Sequence, residues 1–311
     1  MKPSYIKLYE NGELKQKIKK ALRLLENCKL CPRECGVNRL KNEKGFCKTG
    51  RKAVVANYSP HFGEEAPLVG KKGSGTIFIS SCNLLCSFCQ NYEISHLVEG
   101  IEVEPEQMAY MMIELFKAGC HNINFVTPTH IVPQILEALP IAIEKGLNIP
   151  LIYNSGGYDK KSTLQILEDI FDIYMPDFKF WDSYWSKRYM NAPDYREKAI
   201  DAIKEMHRQV KDLVINQEGI AKRGLIIRHL VMPNNIAGTD NIMKFIAKDI
   251  SLNTYVNIMD QYRPYGKAPE DPNINRMITV KEYRDAIESA KKAGLKRLDT
   301  GEDKILRIFR I

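Results

Sequence analysis

From about Pro105 onward, short apolar runs alternate with longer amphipathic stretches. The runs NINFV (122–126), IPLIY (149–153), IYMPDF (173–178), LIIRHLV (225–231) and YVNIM (255–259), with TIFIS (76–80) ahead of them, read as six strands, each closed by a polar or glycine-containing turn. Leu295 to Leu298 is a short further candidate. Between the runs lie helical patterns such as EQMAYMMIELFKAG, which sets Met108, Met111, Met112, Leu115 and Phe116 on one side. Serial strand and helix of this kind builds a parallel sheet, either doubly wound or closed toward a barrel. Both arrangements place chemistry at the carboxyl ends of the strands. The polar residues fall there: Ser81 and Cys82, Thr127 to His130, Asn154 to Gly157, Asp177 to Lys179, and Gln261 to Arg263.

The chain before residue 70 differs. A helical start over 12–27 leads into a region rich in Cys, Gly and Lys, too poor in core residues to hold its shape without a metal. A boundary near Gly70 therefore divides an amino-terminal helical and four-cysteine module (1–70) from a barrel segment (71–311). With 311 residues, 44% hydrophobic and 27% charged, the chain can bury a full core. Its opening residues form no signal peptide, and no stretch approaches the roughly 18 apolar residues of a membrane span, so residence in the cytoplasm is expected. The net charge of +8 is scattered among nearly as many acids. Two basic concentrations, Lys41 to Lys52 and Lys291 to Arg297, hold a single aromatic between them, Phe46, which makes nucleic acid the lesser expectation.

The eight cysteines fall in three places: Cys28, Cys31, Cys35 and Cys47; Cys82, Cys86 and Cys89; and Cys120 alone. Such clustering points to metal ligation rather than disulfides. In SSCNLLCSFCQN three cysteines follow an apolar strand within eight residues, and three thiolates on a cubane cluster leave its fourth iron open for chemistry. The competing reading is a zinc knuckle completed by His96 or another residue.

This motif, with Phe88 directly before the third cysteine, resembles that of the radical S-adenosylmethionine (SAM) superfamily. More narrowly, CPRECGVNR, HFGEEAPLVG, GSGTIF, CNLLCSFCQN, NINFVTPTH, PDFKF and RHLVMPN resemble the PflX-like branch of pyruvate formate-lyase activating enzyme homologues, from about Asn27 to Tyr265. The resemblance implies a partial (β/α)6 barrel, a [4Fe-4S] cluster on Cys82, Cys86 and Cys89, and reductive cleavage of SAM to a 5'-deoxyadenosyl radical. It implies a low-potential electron donor such as ferredoxin or flavodoxin, and hydrogen abstraction from a peptide or protein. Asp177 and Lys179 are similar to an Asp-Leu-Lys sequence that lines the SAM site, and Arg228 to a strand-five arginine that would meet the SAM carboxylate. Where the activating enzymes have Gly-Gly-Glu for the SAM amino group, this chain has Thr127 to His130, with Thr129 or His130 as substitutes. Asn154 and Ser155 are candidates to admit the ribose or substrate. Gln261 stands where those enzymes place a histidine.

The amino-terminal cysteines, at spacings of two, three and eleven residues, can close a site completely, with zinc as the first expectation and a second [4Fe-4S] cluster as the other. Arg33, Lys41 and Lys44 in the same module offer an acidic protein substrate a docking surface. Cys120 reads as a small buried hydrophobe. Two readings compete with a polypeptide-directed enzyme: radical modification of RNA or a small molecule, and a non-catalytic iron-sulfur electron carrier.

Overall fold

A computed structural model describes residues 2–300; the tail of the segment 71–311 lies outside the described residues. The parallel strands are β2 (Ser74–Ile79), β4 (Ile123–Val126), β5 (Leu151–Ser155), β6 (Ile173–Pro176), β8 (Ala221–Leu230), β9 (Tyr255–Met259) and a short β10 (Arg297–Asp299). Each is hydrogen-bonded to the next in chain order, from β2 through to β10. A doubly wound sheet reverses its strand order at a switch point; this one never does, which is the order of a barrel left open. The intervening helices include α4 (Pro105–Lys117), α5 (Val132–Glu144), α6 (Lys161–Ile166), α7 (Ser183–Met190), α8 (Tyr195–Val210) and α9 (Thr239–Phe245). The fold is α/β with a mostly parallel sheet, that of a partial (β/α)6 barrel.

Two faces are separated by the period-2 alternation of strand side chains. Ile152, Ile173, Met175, Ile226 and Tyr255 pack with one another. Their neighbours Tyr153, Tyr174, Leu225, Ile227 and Val256 pack instead with helical residues such as Met112, Leu136 and Met206. The first set therefore faces the barrel lumen and the second faces the helix layer. Leu68, fully buried, joins the lumen set and plugs it from below; burying a leucine contributes about 2 kcal/mol.

Leu68 belongs to α3 (Ala66–Val69), which the alternation of the sequence did not reveal, and neither did it reveal β1 (Ala53–His61) or β3 (Ile101–Val103). β1 pairs antiparallel with β2 along most of its length but with β3 only at Ala53, Val54 and Val55. Its outer edge is then uncovered, and residues 57–60 are exposed. The expected helix over 12–27 is α2 (Glu13–Arg23), preceded by α1 (Ser4–Glu10). The remaining strand and α-helix among the described residues are β7 (Val214–Ile215), which pairs with β8, and α10 (Val280–Lys292).

Candidate active site

The loop after β2 turns sharply, with Ser81 and Leu85 both in the left-handed region. Phe88, 4% exposed, anchors it, with its ring 5.8 Å from that of Phe180 and 6.1 Å from that of Tyr189. The backbone of Ser87 is held from both sides: its N–H donates to the Tyr189 carbonyl at 2.9 Å, and its carbonyl accepts from the Lys267 N–H at 2.8 Å. Gly266, at φ +60°, lets that second strand of chain approach, because a Cβ there would lie 2.7 Å from the Ser87 oxygen. The loop thus presents Cys82, Cys86 and Cys89 from a fixed backbone. Burial pushes the Cys82 thiol up to about 11 and Cys86 higher still. As neutral thiols they are poor nucleophiles; a metal would deprotonate them.

Cys86 and Cys89 form one wall of a cavity of about 370 Å³ at the carboxyl ends of the strands. The facing wall continues the lumen set by two residues per step: Ile152 to Asn154, Met175 to Asp177, Ile226 to Arg228. The lumen is therefore apolar at its floor and charged at its mouth. Asp177 receives Lys179 Nζ on one oxygen at 2.5 Å and Arg228 Nε on the other at 2.9 Å. Arg228 also donates to Asn154 Oδ1 at 2.7 Å and lies 3.7 Å from Glu64. Burial alone would raise the Asp177 carboxyl, but Lys179 and Arg228 outweigh it and hold the group below its ordinary range. Lys179 is raised, the Asp177 charge overcoming desolvation.

Of the residues singled out from sequence, Cys86, Phe88, Cys89, Asn154, Asp177, Lys179, Arg228 and Gln261 line this cavity. Cys82 is on the same loop, outside the lining. Thr129 and Ser155 point elsewhere: their hydroxyls donate to the two oxygens of buried Asp159 at 2.7 and 2.6 Å. A carboxylate taken out of water needs such donors, and Tyr153 gives a third at 2.8 Å. His130 turns away too, its Nε2 bonded to the Ser80 carbonyl at 3.0 Å. His229, on the helix-facing side of β8, bonds the Phe178 carbonyl and Thr239. Cys120 is buried.

His61, Gly63 and Glu64 also line the cavity. They lie in HFGEEAPLVG, a stretch conspicuous in the sequence but without strand or helix period to place it. His61 Nδ1 stands 3.3 Å from Glu64 Oε1, and that carboxylate raises the imidazole's pKa.

Among the described residues no three His, Cys, Asp or Glu side chains stand ready to hold a single metal ion. A cubane asks something different of its ligands, one iron for each thiolate, so three thiols on one loop beside an open cavity fit it. No described helix is long and apolar enough to cross a membrane.

An uncharacterized protein of Methanocaldococcus jannaschii, MJ0674, is 35% identical over 288 residues, covering 90% of this chain and 78% of its own. The solved structure of methylornithine synthase (PylB) aligns with a TM-score of 0.45 at 15% identity, over 72% of this chain and 70% of that one. The radical SAM superfamily pattern matches residues 76–246, more than half of the chain, from within β2 through α9. The chain belongs to the radical SAM superfamily, whose members use a [4Fe-4S] cluster and SAM.

Proposed function

We propose that Cys82, Cys86 and Cys89 hold the cluster and that SAM lies between it and the Asp177, Lys179 and Arg228 wall. When bound, cluster and SAM would supply reductive cleavage, one electron from the donor releasing methionine and a 5'-deoxyadenosyl radical able to take a hydrogen atom from the substrate. The chain's part is to bind, orient and exclude water. Lys179 and Arg228 are the cations within reach of a carboxylate, and Asp177 and Asn154 are the acceptors for ribose hydroxyls. The apolar lumen floor keeps solvent from entering below. The observation that carries this reading is the single cavity that joins two cysteines of the loop to the ion-paired wall.

The substrate we infer is a peptide or protein, in the manner of the activating enzymes that the PflX-like motifs resemble, with a ferredoxin or flavodoxin as electron donor. Phe62, between cavity-lining His61 and Gly63, is 62% exposed and offers an apolar contact to such a partner. The four amino-terminal cysteines are read as a second metal site in the same chain.

The test is anaerobic. Reconstituted protein is reduced with dithionite, given SAM, and assayed for 5'-deoxyadenosine beside Cys86→Ala. Cleavage by the native chain and its loss in the variant are expected; failure of the iron-loaded native chain to bind SAM would overturn the reading.

A further inference from the structure

Cys28, Cys31, Cys35 and Cys47 all line one cavity of about 10 Å³, together with Arg39 and His130. Arg39 is the anomaly there. It is 1% exposed. Its Nε donates to the Gly50 carbonyl at 3.0 Å and one terminal nitrogen to the His130 carbonyl at 2.7 Å, but the other terminal nitrogen has no hydrogen-bond partner. No ion pair neutralises it among the described residues. A guanidinium cannot shed its proton, and an isolated buried cation costs several kcal/mol. A negative charge in the cavity that Arg39 lines would neutralise the guanidinium, and thiolates on a metal ion would supply it.

We propose that this cavity is a mononuclear tetrathiolate site for a soft divalent cation of the zinc type, with Arg39 as its buried counter-charge. One divalent ion and four thiolates carry two negative charges in excess, and Arg39 offsets one of them. Binding exchanges four S–H protons, released to solvent, for four metal–sulfur bonds without any change of oxidation state. In this structure the four thiols do not stand in metal-holding geometry, so loading has to draw them onto the ion. At about 10 Å³ the cavity has room for about one water-sized sphere, which suits a single ion better than a cubane.

The site also bears on the loop of Cys82, Cys86 and Cys89, a consequence that rests on the cluster assignment above. Arg33, between Cys31 and Cys35, donates to the Asn83 carbonyl at 2.9 Å and to the Met190 carbonyl at 2.7 Å, and lies 3.8 Å over the Phe46 ring. The Cys47 carbonyl accepts from Ser81 Oγ. Closing the four thiols on one ion fixes both clamps, and with them the backbone on either side of Cys82.

The experiment uses the full chain with its cluster in place, measuring zinc and iron together and titrating the zinc against a chelator of known affinity. About one zinc per chain beside about four irons is expected, with iron lost once zinc is withdrawn. Arg39→Gln keeps an amide donor but removes the charge, and should weaken zinc by about 10- to 100-fold. If that variant does not fold, cobalt added to the native chain decides the matter through thiolate-to-cobalt charge-transfer absorption. Unchanged zinc affinity in Arg39→Gln, absence of the cobalt band, or a second set of irons in place of zinc would each overturn the proposal. Iron retained after zinc withdrawal would overturn the clamp. Loss of 5'-deoxyadenosine formation with zinc bound would strike the catalytic reading and leave this one standing.

Discussion

Asp177 carries the charge balance of the cavity. It is the common partner of Lys179 and Arg228, so Asp177→Asn strands Lys179 in a desolvated wall and leaves Arg228 with Glu64 at 3.7 Å. We expect that variant to lose about 3–5 kcal/mol at neutral pH, as broken buried ion pairs do, measured by denaturant unfolding. The sign of the pH dependence follows from the lowered carboxyl. Its contribution is complete above the unfolded value of 3.8 and is lost as pH falls through the lower folded value, so the gap between native and variant proteins should close in that acid window. In sequence the pair Asp177 and Lys179 was legible from its place at a strand end, and Arg228 from a charge inside an apolar run. Thr129 and Ser155 looked equally eligible. What distinguishes them is Asp159, whose burial could not be read from a polar position in a turn, and which draws both hydroxyls to itself.

Among the elements, parallel strands were legible because they are buried on both faces and so read as apolar runs. The run at 255–259 coincides with β9, whereas β5 runs on to Ser155, past the last apolar residue, because the lumen face becomes polar at the mouth. β1 escaped detection for the opposite reason: half of it is exposed, and ANYSPH has no apolar alternation to show. The glycines after β5 admitted two explanations, a turn or room for a ligand. Gly157 has φ +78°, and a Cβ on it would sit 2.1 Å from the Asp177 carbonyl oxygen. Its role is to let the β5 turn pass against the end of β6. Gly157→Ala should therefore cost at least about 1–3 kcal/mol, seen as a lowered Tm, and should displace Asp177 enough to weaken SAM binding.

Across the whole molecule, the seventy residues with the least core-like composition prove to be woven into the barrel. They supply the outer strand β1, the lumen plug Leu68, three residues of the cavity wall and the Arg33 clamp. Composition could not show these contacts, which depend on pairing across long stretches of chain. The uncovered outer edge of β1 has a further consequence, for self-association. An unpaired edge is a template for a strand from another chain, and this one contains Pro60, which interrupts its row of N–H donors. Pro60→Val would restore a donor and favour edge-to-edge pairing; sedimentation should then show larger, concentration-dependent species than the native chain forms, while an unchanged profile would mean that Pro60 does not guard the edge. On this view a single proline beside the cavity keeps the barrel from extending its sheet into a neighbouring copy.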